Sequence, residues 1–237
     1  MGKYNLLSNM PIVAALLVGH MNGGLQAAEY QRTNSLVSSA IKASQCSFGA
    51  FVQETDPAGL NVRQTPNLSG KILGTLPPVI ESSELDGYKV KVELDILGSN
   101  NGWFQIANAQ DNTALTGKPA RKVFSGSGWV NGRKLTVKSQ ARKGYARPDV
   151  NSPVILSLRD GSGFDNDEIV QAGQLISCHG NWALVEFSRD KLSTDMNKLV
   201  VAAPAAQAGL PKGHFRAWVN QICAIQETSC DGTAVQN

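Results

Sequence analysis

Short stretches of alternating apolar and polar residues follow one another along most of the chain. The clearest is residues 88–97 (YKVKVELDIL), which alternate with a period of two, as a strand with one buried face does. Residues 175–178 and 181–187 predict a hairpin that turns at His179 and Gly180. Helical periodicity is confined to residues 33–42, which fit a short helix or a flexible lead-in. The pattern therefore predicts an all-β fold of short strands.

The four tryptophans indicate an internal duplication. The context of Trp103 (NGWFQI) is similar to that of Trp182 (GNWALV), and the context of Trp129 (SGWVN) is similar to that of Trp218 (RAWVN). Upstream, residues 59–63 (GLNVR) and 72–76 (ILGTL) have degraded counterparts at 144–147 (GYAR) and 154–158 (VILSL). The second copy has the longer insertion between its two tryptophans. Two related β-units in tandem follow from this repetition.

The first copy resembles the bacterial SH3 (SH3b) family. The segments that match are Gly59–Pro66 (GLNVRQTP), Gly70–Leu76 (GKILGTL), Gly102–Trp103 and Gly128–Val130 (GWV), in that order. The second copy matches the SH3b pattern less well than the first. It lacks the Leu-Asn-Val-Arg start, and it has Ala217 where the closing Gly-Trp-Val of the pattern has Gly. The resemblance implies two small SH3-like barrels in tandem. The alternating apolar residues then fill the first core: Leu60, Val62, Ile72, Leu76, Val90, Val92, Ile106 and Val130.

The N-terminus has the layout of a cleaved signal peptide. Lys3 is followed by an apolar run of residues 10–19, which is about half the length of a membrane-spanning helix, and then by small residues ending at Ala27 and Ala28. We therefore expect an exported protein, periplasmic or secreted, without stable membrane insertion. The expected organisation is a signal peptide at 1–27, a lead-in at 28–47, a barrel at 48–140 and a divergent barrel with a disulfide-clipped tail at 141–237.

Export predicts that the cysteines form structural disulfides, because an even number of them enters an oxidising compartment. Cys223 and Cys230 are close enough to clip the C-terminal tail, and Cys46 would then pair with Cys178. The rival pairing joins Cys178 to Cys223 and Cys46 to Cys230. The sequence alone leaves both open.

Composition and motifs argue against several classes of function. A formal net charge of +3, with 17% charged residues, is too small and dispersed for a nucleic-acid partner. We expect no metal site, because the expected mature chain has two histidines, His179 and His214, and no Cys-x-x-Cys pair. No catalytic motif or cofactor loop is recognisable, so we expect no enzyme and no cofactor. We expect both histidines in exposed turns or loops, and the acidic residues between Asp160 and Glu168 in a solvated loop.

The SH3b resemblance implies a binding module that recognises a peptidoglycan peptide or an envelope protein. The candidate ligand contacts are Trp103, Tyr88, Arg63 and Trp182, whereas Trp129 and Trp218 are expected to pack structurally. Packing of Trp103 and Trp182 in the barrels, and a turn-stabilising role for Arg63, remain alternatives. Residues 107–124 and 188–213 are inserts where a ligand surface could be built. The alternative functions are an envelope inhibitor or immunity-type protein that blocks a partner with a loop, and a small enzyme in the second unit that uses Cys178 and His179.

Overall fold

Antiparallel strands form most of the regular structure in the computed structural model, which describes residues 44–226 and Cys230. The expected signal peptide, and the lead-in up to residue 43 with its candidate helix, lie outside these residues. The last four residues of the expected lead-in, 44–47, already belong to the first strand. The predicted all-β class is confirmed.

The first half of the described chain forms a seven-stranded sheet and a separate pair of strands. The sheet order is β3-β2-β8-β7-β6-β1-β9, and β4 pairs with β5. A short helix, α1 (Thr113–Thr116), and a 3-10 turn, η1 (Gly132–Lys134), lie in the connections. The strands are β1 (Ser44–Val52), β2 (Leu60–Arg63), β3 (Ile72–Leu76), β4 (Ile80–Glu81), β5 (Lys89–Val90), β6 (Glu93–Asn100), β7 (Trp103–Gln110), β8 (Gly128–Asn131) and β9 (Leu135–Thr136).

The second half forms a six-stranded sheet with the order β12-β13-β15-β10-β11-β14. Its strands are β10 (Lys143–Tyr145), β11 (Val154–Leu158), β12 (Gly173–His179), β13 (Trp182–Ser188), β14 (Val200–Ala202) and β15 (His214–Val219). The connections contain α2 (Asp167–Ala172), the 3-10 turn η2 (Arg189–Lys191), α3 (Thr194–Leu199) and α4 (Pro204–Gln207). None of the helices in the described part of the chain is long and apolar enough to cross a membrane.

The two sheets share an arrangement of five strands. The order β3-β2-β8-β7-β6 in the first corresponds to β11-β10-β15-β13-β12 in the second. The registers also agree, because Phe104 pairs with Val130 as Ala183 pairs with Val219. Each of the two central hairpins, β6–β7 and β12–β13, has a register shift at the same relative position, before Gly98 and before Ser177. The predicted duplication is therefore present in the backbone.

The pairing corrects one part of the sequence comparison. Residues 154–158 occupy the place of 72–76 as predicted, since Leu156 pairs with Gly144 as Gly74 pairs with Val62. However, Tyr145 pairs with Trp218 where Arg63 pairs with Trp129. The residue equivalent to Arg63 is thus Tyr145, and not Arg147 as the sequence match implied. Strand β10 does not contain the Leu-Asn-Val-Arg motif of β2, which is why sequence alone misplaces it.

The predicted core is correct except at one position. Leu60, Val62, Leu76, Val90, Val92, Ile106 and Val130 are all buried. Ile72 is 48% exposed, because the register of β2 and β3 shifts between Val62 and Arg63 and turns Ile72 to the side opposite the core.

The predicted continuous strand at 88–97 is divided between β5 and β6. At the break, the side-chain amide of Gln226 takes the place of a partner strand: its Oε1 accepts from the Lys91 N–H at 2.8 Å and its Nε2 donates to the Lys91 carbonyl at 2.7 Å. Gln226 is 3% exposed and also donates through Nε2 to Glu93 Oε1 at 3.0 Å. The chain that follows the second sheet therefore returns to the first.

The disulfides are Cys46–Cys178 and Cys223–Cys230, which selects the first of the two pairings considered above. Cys46 lies in β1 of the first sheet and Cys178 in β12 of the second. Around this bond, Ser47 N–H donates to the Gly180 carbonyl and Gly180 N–H donates to the Gln45 carbonyl, both at 2.9 Å. The first strand therefore connects the two sheets covalently and by backbone hydrogen bonds.

Candidate ligand-binding surface

One row of side chains crosses the outer face of the first sheet, opposite the core. Because directly paired residues on antiparallel strands share a face, the pairs Gln105–Trp129, Trp129–Arg63 and Arg63–Ile72 form this row. Trp103 lies on the same face, paired with Asn131. Trp103, Trp129 and Arg63 are half-buried. The first row is thus one tryptophan with polar neighbours and a second tryptophan beside it.

The equivalent row on the second sheet is more apolar. It consists of the pairs Leu184–Trp218, Trp218–Tyr145 and Tyr145–Val154. Trp182, the equivalent of Trp103, is 8% exposed and meets the edge of the Tyr145 ring at a centroid distance of 5.5 Å and an interplanar angle of 82°. Gln105 and Arg63 of the first row are replaced by Leu184 and Tyr145.

A groove of 180 Å³ runs beside this second row. The sheet supplies one wall, and the segment around helix α4 supplies the other, so the insert at 188–213 folds back over its own sheet. The side chains that shape the groove are Tyr145, Leu184, Trp218, Arg216, Ala206 and Leu210. Aromatic and aliphatic side chains with a few well-placed polar groups are the usual lining of a ligand site, and this groove has that lining on a small scale.

A charged network lies at the Arg216 side of the groove. The Glu186 carboxylate accepts from Arg216 Nη2 at 2.6 Å and lies 3.0 Å from His214 Nδ1. Burial raises the pKa of Glu186, but the hydrogen bonds from Arg216 and His214 outweigh this, and the pKa is lowered from its usual value. Arg216 Nε is buried and has no hydrogen-bond partner among the described residues. His214 is the first residue of strand β15, so the prediction that it lies in a loop is wrong.

The four predicted ligand contacts lie at three places. Trp103 and Arg63 share the outer face of the first sheet, although the Arg63 guanidinium donates to the Gly70 carbonyl at 2.8 Å and so also holds the turn after β2. Trp182 lies on the outer face of the second sheet. Tyr88 is elsewhere, with its hydroxyl donating to the Gln226 carbonyl. Trp129 and Trp218, predicted to pack structurally, are half-buried members of the outer rows.

Sequence reasoning did not find Tyr145 and Leu184. The available signal was the duplication itself, because correct alignment of β10 would have placed Tyr145 beside Trp218. The sequence also offered no indication that the segment around helix α4 forms the second wall of the groove.

The remaining candidate residues from the sequence, Cys178, His179 and the acidic group, do not form a catalytic or metal site among the described residues. Cys178 is bonded to Cys46 and has no free thiol. His179 is exposed, as predicted, but it is the last residue of strand β12 and lies before the turn rather than in it. Within 44–226 and Cys230, no three His, Cys, Asp or Glu side chains are grouped so that they could hold a metal ion. Asp160 is exposed in a turn, as predicted, but Asp167 and Glu168 form the first turn of helix α2 and not a loop. Glu168 also accepts a hydrogen bond from the Ser193 N–H at 2.9 Å.

Comparisons with protein-family models, with curated proteins and with solved structures give no match for this chain.

Proposed function

We propose that this chain is an exported, non-catalytic binding module that holds a peptide segment, of the cell wall or of an envelope protein, in the groove beside Trp218. The observation that supports this most directly is the apolar outer row of the second sheet, with Tyr145, Trp218 and Leu184 facing a groove closed by the α4 segment. Aromatic side chains bury a large area with few rotatable bonds, and they are frequent energetic centres of binding sites.

The shape and polarity of the groove favour a peptide. Its volume of 180 Å³ accommodates one or two small side chains rather than a cofactor. Arg216 at its border is 34% exposed at the side chain and can donate to a peptide carbonyl or a terminal carboxylate. The ligand would therefore place apolar side chains between the tryptophan and α4, with a backbone or carboxylate oxygen at Arg216.

The proposal includes the SH3-like architecture suggested by the sequence. The shared order and register of five strands support two copies of one small β-unit. The disulfides agree with an oxidising compartment, because such bonds persist outside the cytosol. The inserts at residues 107–124 and 188–213 both contain short helices that pack on the body of the protein. This favours a binding groove over the alternative function, in which a projecting loop blocks a partner.

Co-sedimentation of the oxidised protein with protein-free peptidoglycan tests the function. We expect the wild type to pellet, and Trp218→Ala to reduce the affinity by about tenfold or more, as loss of a central aromatic contact does. Trp103→Ala tests the first row in the same assay. Leu68→Ala is the matched control, since Leu68 is 75% exposed and lies outside both rows.

A second arm distinguishes the source of the peptide. If the wild type stays in the supernatant, the protein is cross-linked in envelope extract and the captured protein is purified and titrated directly. Binding of that purified partner, lost in Trp218→Ala and kept in Leu68→Ala, supports the proposal with an envelope protein as ligand. Equal behaviour of wild type and both tryptophan variants in each arm contradicts it.

A further inference from the structure

A second cleft, unrelated to the aromatic groove, is lined by cations from both halves of the protein. It has a volume of 330 Å³ and is lined by Lys89, Lys91, Arg133, Lys134 and Lys191. The remaining lining is uncharged, so no carboxylate lines it. The five cations come from β5 and the residues just after it, from η1 and from η2. Such convergence of separate segments is expected of a site rather than of a solvated basic run.

Lys91 is the least exposed of these cations. It is 7% exposed, and its Nζ donates to the Lys89 carbonyl at 3.2 Å. An ammonium has three donors, and among the described residues this carbonyl is its one acceptor. Burial lowers the pKa of Lys91; Asp167 raises it, and the neighbouring cations Lys89 and Lys138 lower it further. A buried cation beside like charges is costly unless an anion accompanies it.

The acidic side chains near the cleft do not neutralise all of its positive charge. Lys134 Nζ pairs with Glu54 at 3.0 Å, and it is the one member of the five with an ion pair among the described residues. Asp167 acts on Lys91 at longer range, and Asp190 acts on Lys191 while accepting a hydrogen bond from Ser188. Glu81 pairs with Lys89 across β4 and β5 and so lies on the same face as this cation. Five cations therefore face four acids, all of which lie outside the lining. One unit of positive charge remains available to a ligand.

We infer that this cleft binds a phosphoryl or pyrophosphoryl group. A phosphate has up to two negative charges and several oxygens, so it accepts hydrogen bonds from donors that approach from different sides, whereas a carboxylate has one charge in one plane. Lys91 binds the group at the base of the cleft, and Lys89, Arg133 and Lys191 contact it from the rim. Gln53 is held in place beside it, because its amide donates to the Gly173 carbonyl at 2.7 Å.

Isothermal titration of the oxidised full chain with pyrophosphate tests the inference, with malonate as the carboxylate comparison. We expect saturable binding of pyrophosphate that is stronger than that of malonate and weakens as sodium chloride is raised. Arg133→Gln should weaken it by about tenfold to a hundredfold, the range for one charge-assisted hydrogen bond. Arg133 is exposed and its side chain has no partner among the described residues, so this variant should fold normally.

Two further variants complete the test. Lys91→Met removes the buried charge and keeps a similar chain length, and it should abolish binding without loss of the native circular dichroism spectrum. Lys212→Gln is the matched control, because Lys212 is an exposed cation outside the cleft. Absence of saturable binding by the wild type at millimolar pyrophosphate overturns the inference, as does an equal effect of Arg133→Gln and Lys212→Gln. Neither result bears on the groove beside Trp218.

Discussion

At individual positions, the two copies fill equivalent space with different side chains. Val62 in the first sheet lies against Gly128, where an added Cβ would come within 2.5 Å of the valine methyl. The equivalent residues of the second sheet are Gly144 and Ala217, and an added Cβ at Gly144 would lie 2.6 Å from the Ala217 Cβ. Ala217, which occupies the place of Gly128, is therefore accommodated by the glycine opposite. Close-packed interiors require such paired changes.

This complementarity predicts that Gly144→Ala destabilises the protein by about 1–3 kcal/mol through overpacking. The double variant Gly144→Ala, Ala217→Gly should recover part of the loss, because it removes the contact with the Ala217 Cβ and keeps only the contact with the Leu156 Cβ at 2.9 Å. Urea unfolding of the wild type, both single variants and the double variant gives the coupling energy. Strict additivity of the two single changes would contradict the packing argument.

At the scale of elements, cross-strand networks hold β13 and β15 together beside the groove. Glu186 on β13 is bonded to Arg216 and His214 on β15, and it accepts from the Gln174 amide on β12 at 3.3 Å. Three adjacent strands thus meet at one carboxylate on the outer face. Since Arg216 also lines the groove, the network positions a side chain of the proposed site.

The lowered pKa of Glu186 predicts a pH-dependent contribution to stability. A carboxyl whose pKa is lower in the folded state stabilises the protein above its unfolded pKa, and the contribution is lost as pH falls through the folded value. Glu186→Gln should therefore cost about 1–3 kcal/mol at pH 7, and the difference from wild type should shrink as the pH falls below about 4.5.

Urea titrations at a series of pH values measure that difference. Glu54 and Asp111 also have lowered pKa values, but they titrate equally in wild type and variant and cancel in the comparison. A constant difference from pH 7 to acidic conditions would show that Glu186 stabilises by packing alone.

At the scale of the whole molecule, strand β1 and the segment that follows the second sheet tie the two sheets together. Strand β1 pairs with β6 and β9 of the first sheet and is bonded through Cys46 to β12 of the second. After the second sheet, Gln226 returns to Lys91, beside the Cys223–Cys230 bond. The described residues accordingly form one compact unit rather than two independent ones.

The two disulfides should differ in their contribution to stability. They join residues 132 and 7 positions apart, respectively. In the chain-entropy model the longer loop contributes about 5 kcal/mol and the shorter about 2.5 kcal/mol. Urea unfolding of the Cys46→Ala, Cys178→Ala variant and of the Cys223→Ala, Cys230→Ala variant measures both losses. A larger loss in the second variant would mean that the tail, and not β1, holds the sheets together.

Local features of the fold follow from residues that are neighbours in the chain. The hairpin of β6 and β7 turns at Asn101 and Gly102, whose φ angles of 48° and 78° match the preference of Asn and Gly for this conformation. The alternating apolar residues identified the buried faces, and the repeated tryptophan contexts identified the duplication. Such features depend on residues that are close in the chain, so their patterns are visible in the sequence.

Contacts between residues that are distant in the chain could not be read from the sequence. A shift in strand register turned Ile72 outward, the amide of Gln226 interrupted the strand at Lys91, and the approach of β1 to β12 selected the pairing of Cys46 with Cys178. The groove beside Trp218 and the cleft around Lys91 likewise combine segments far apart in sequence. Each depends on a backbone register or a long-range partner, and no local pattern of side chains specifies either one.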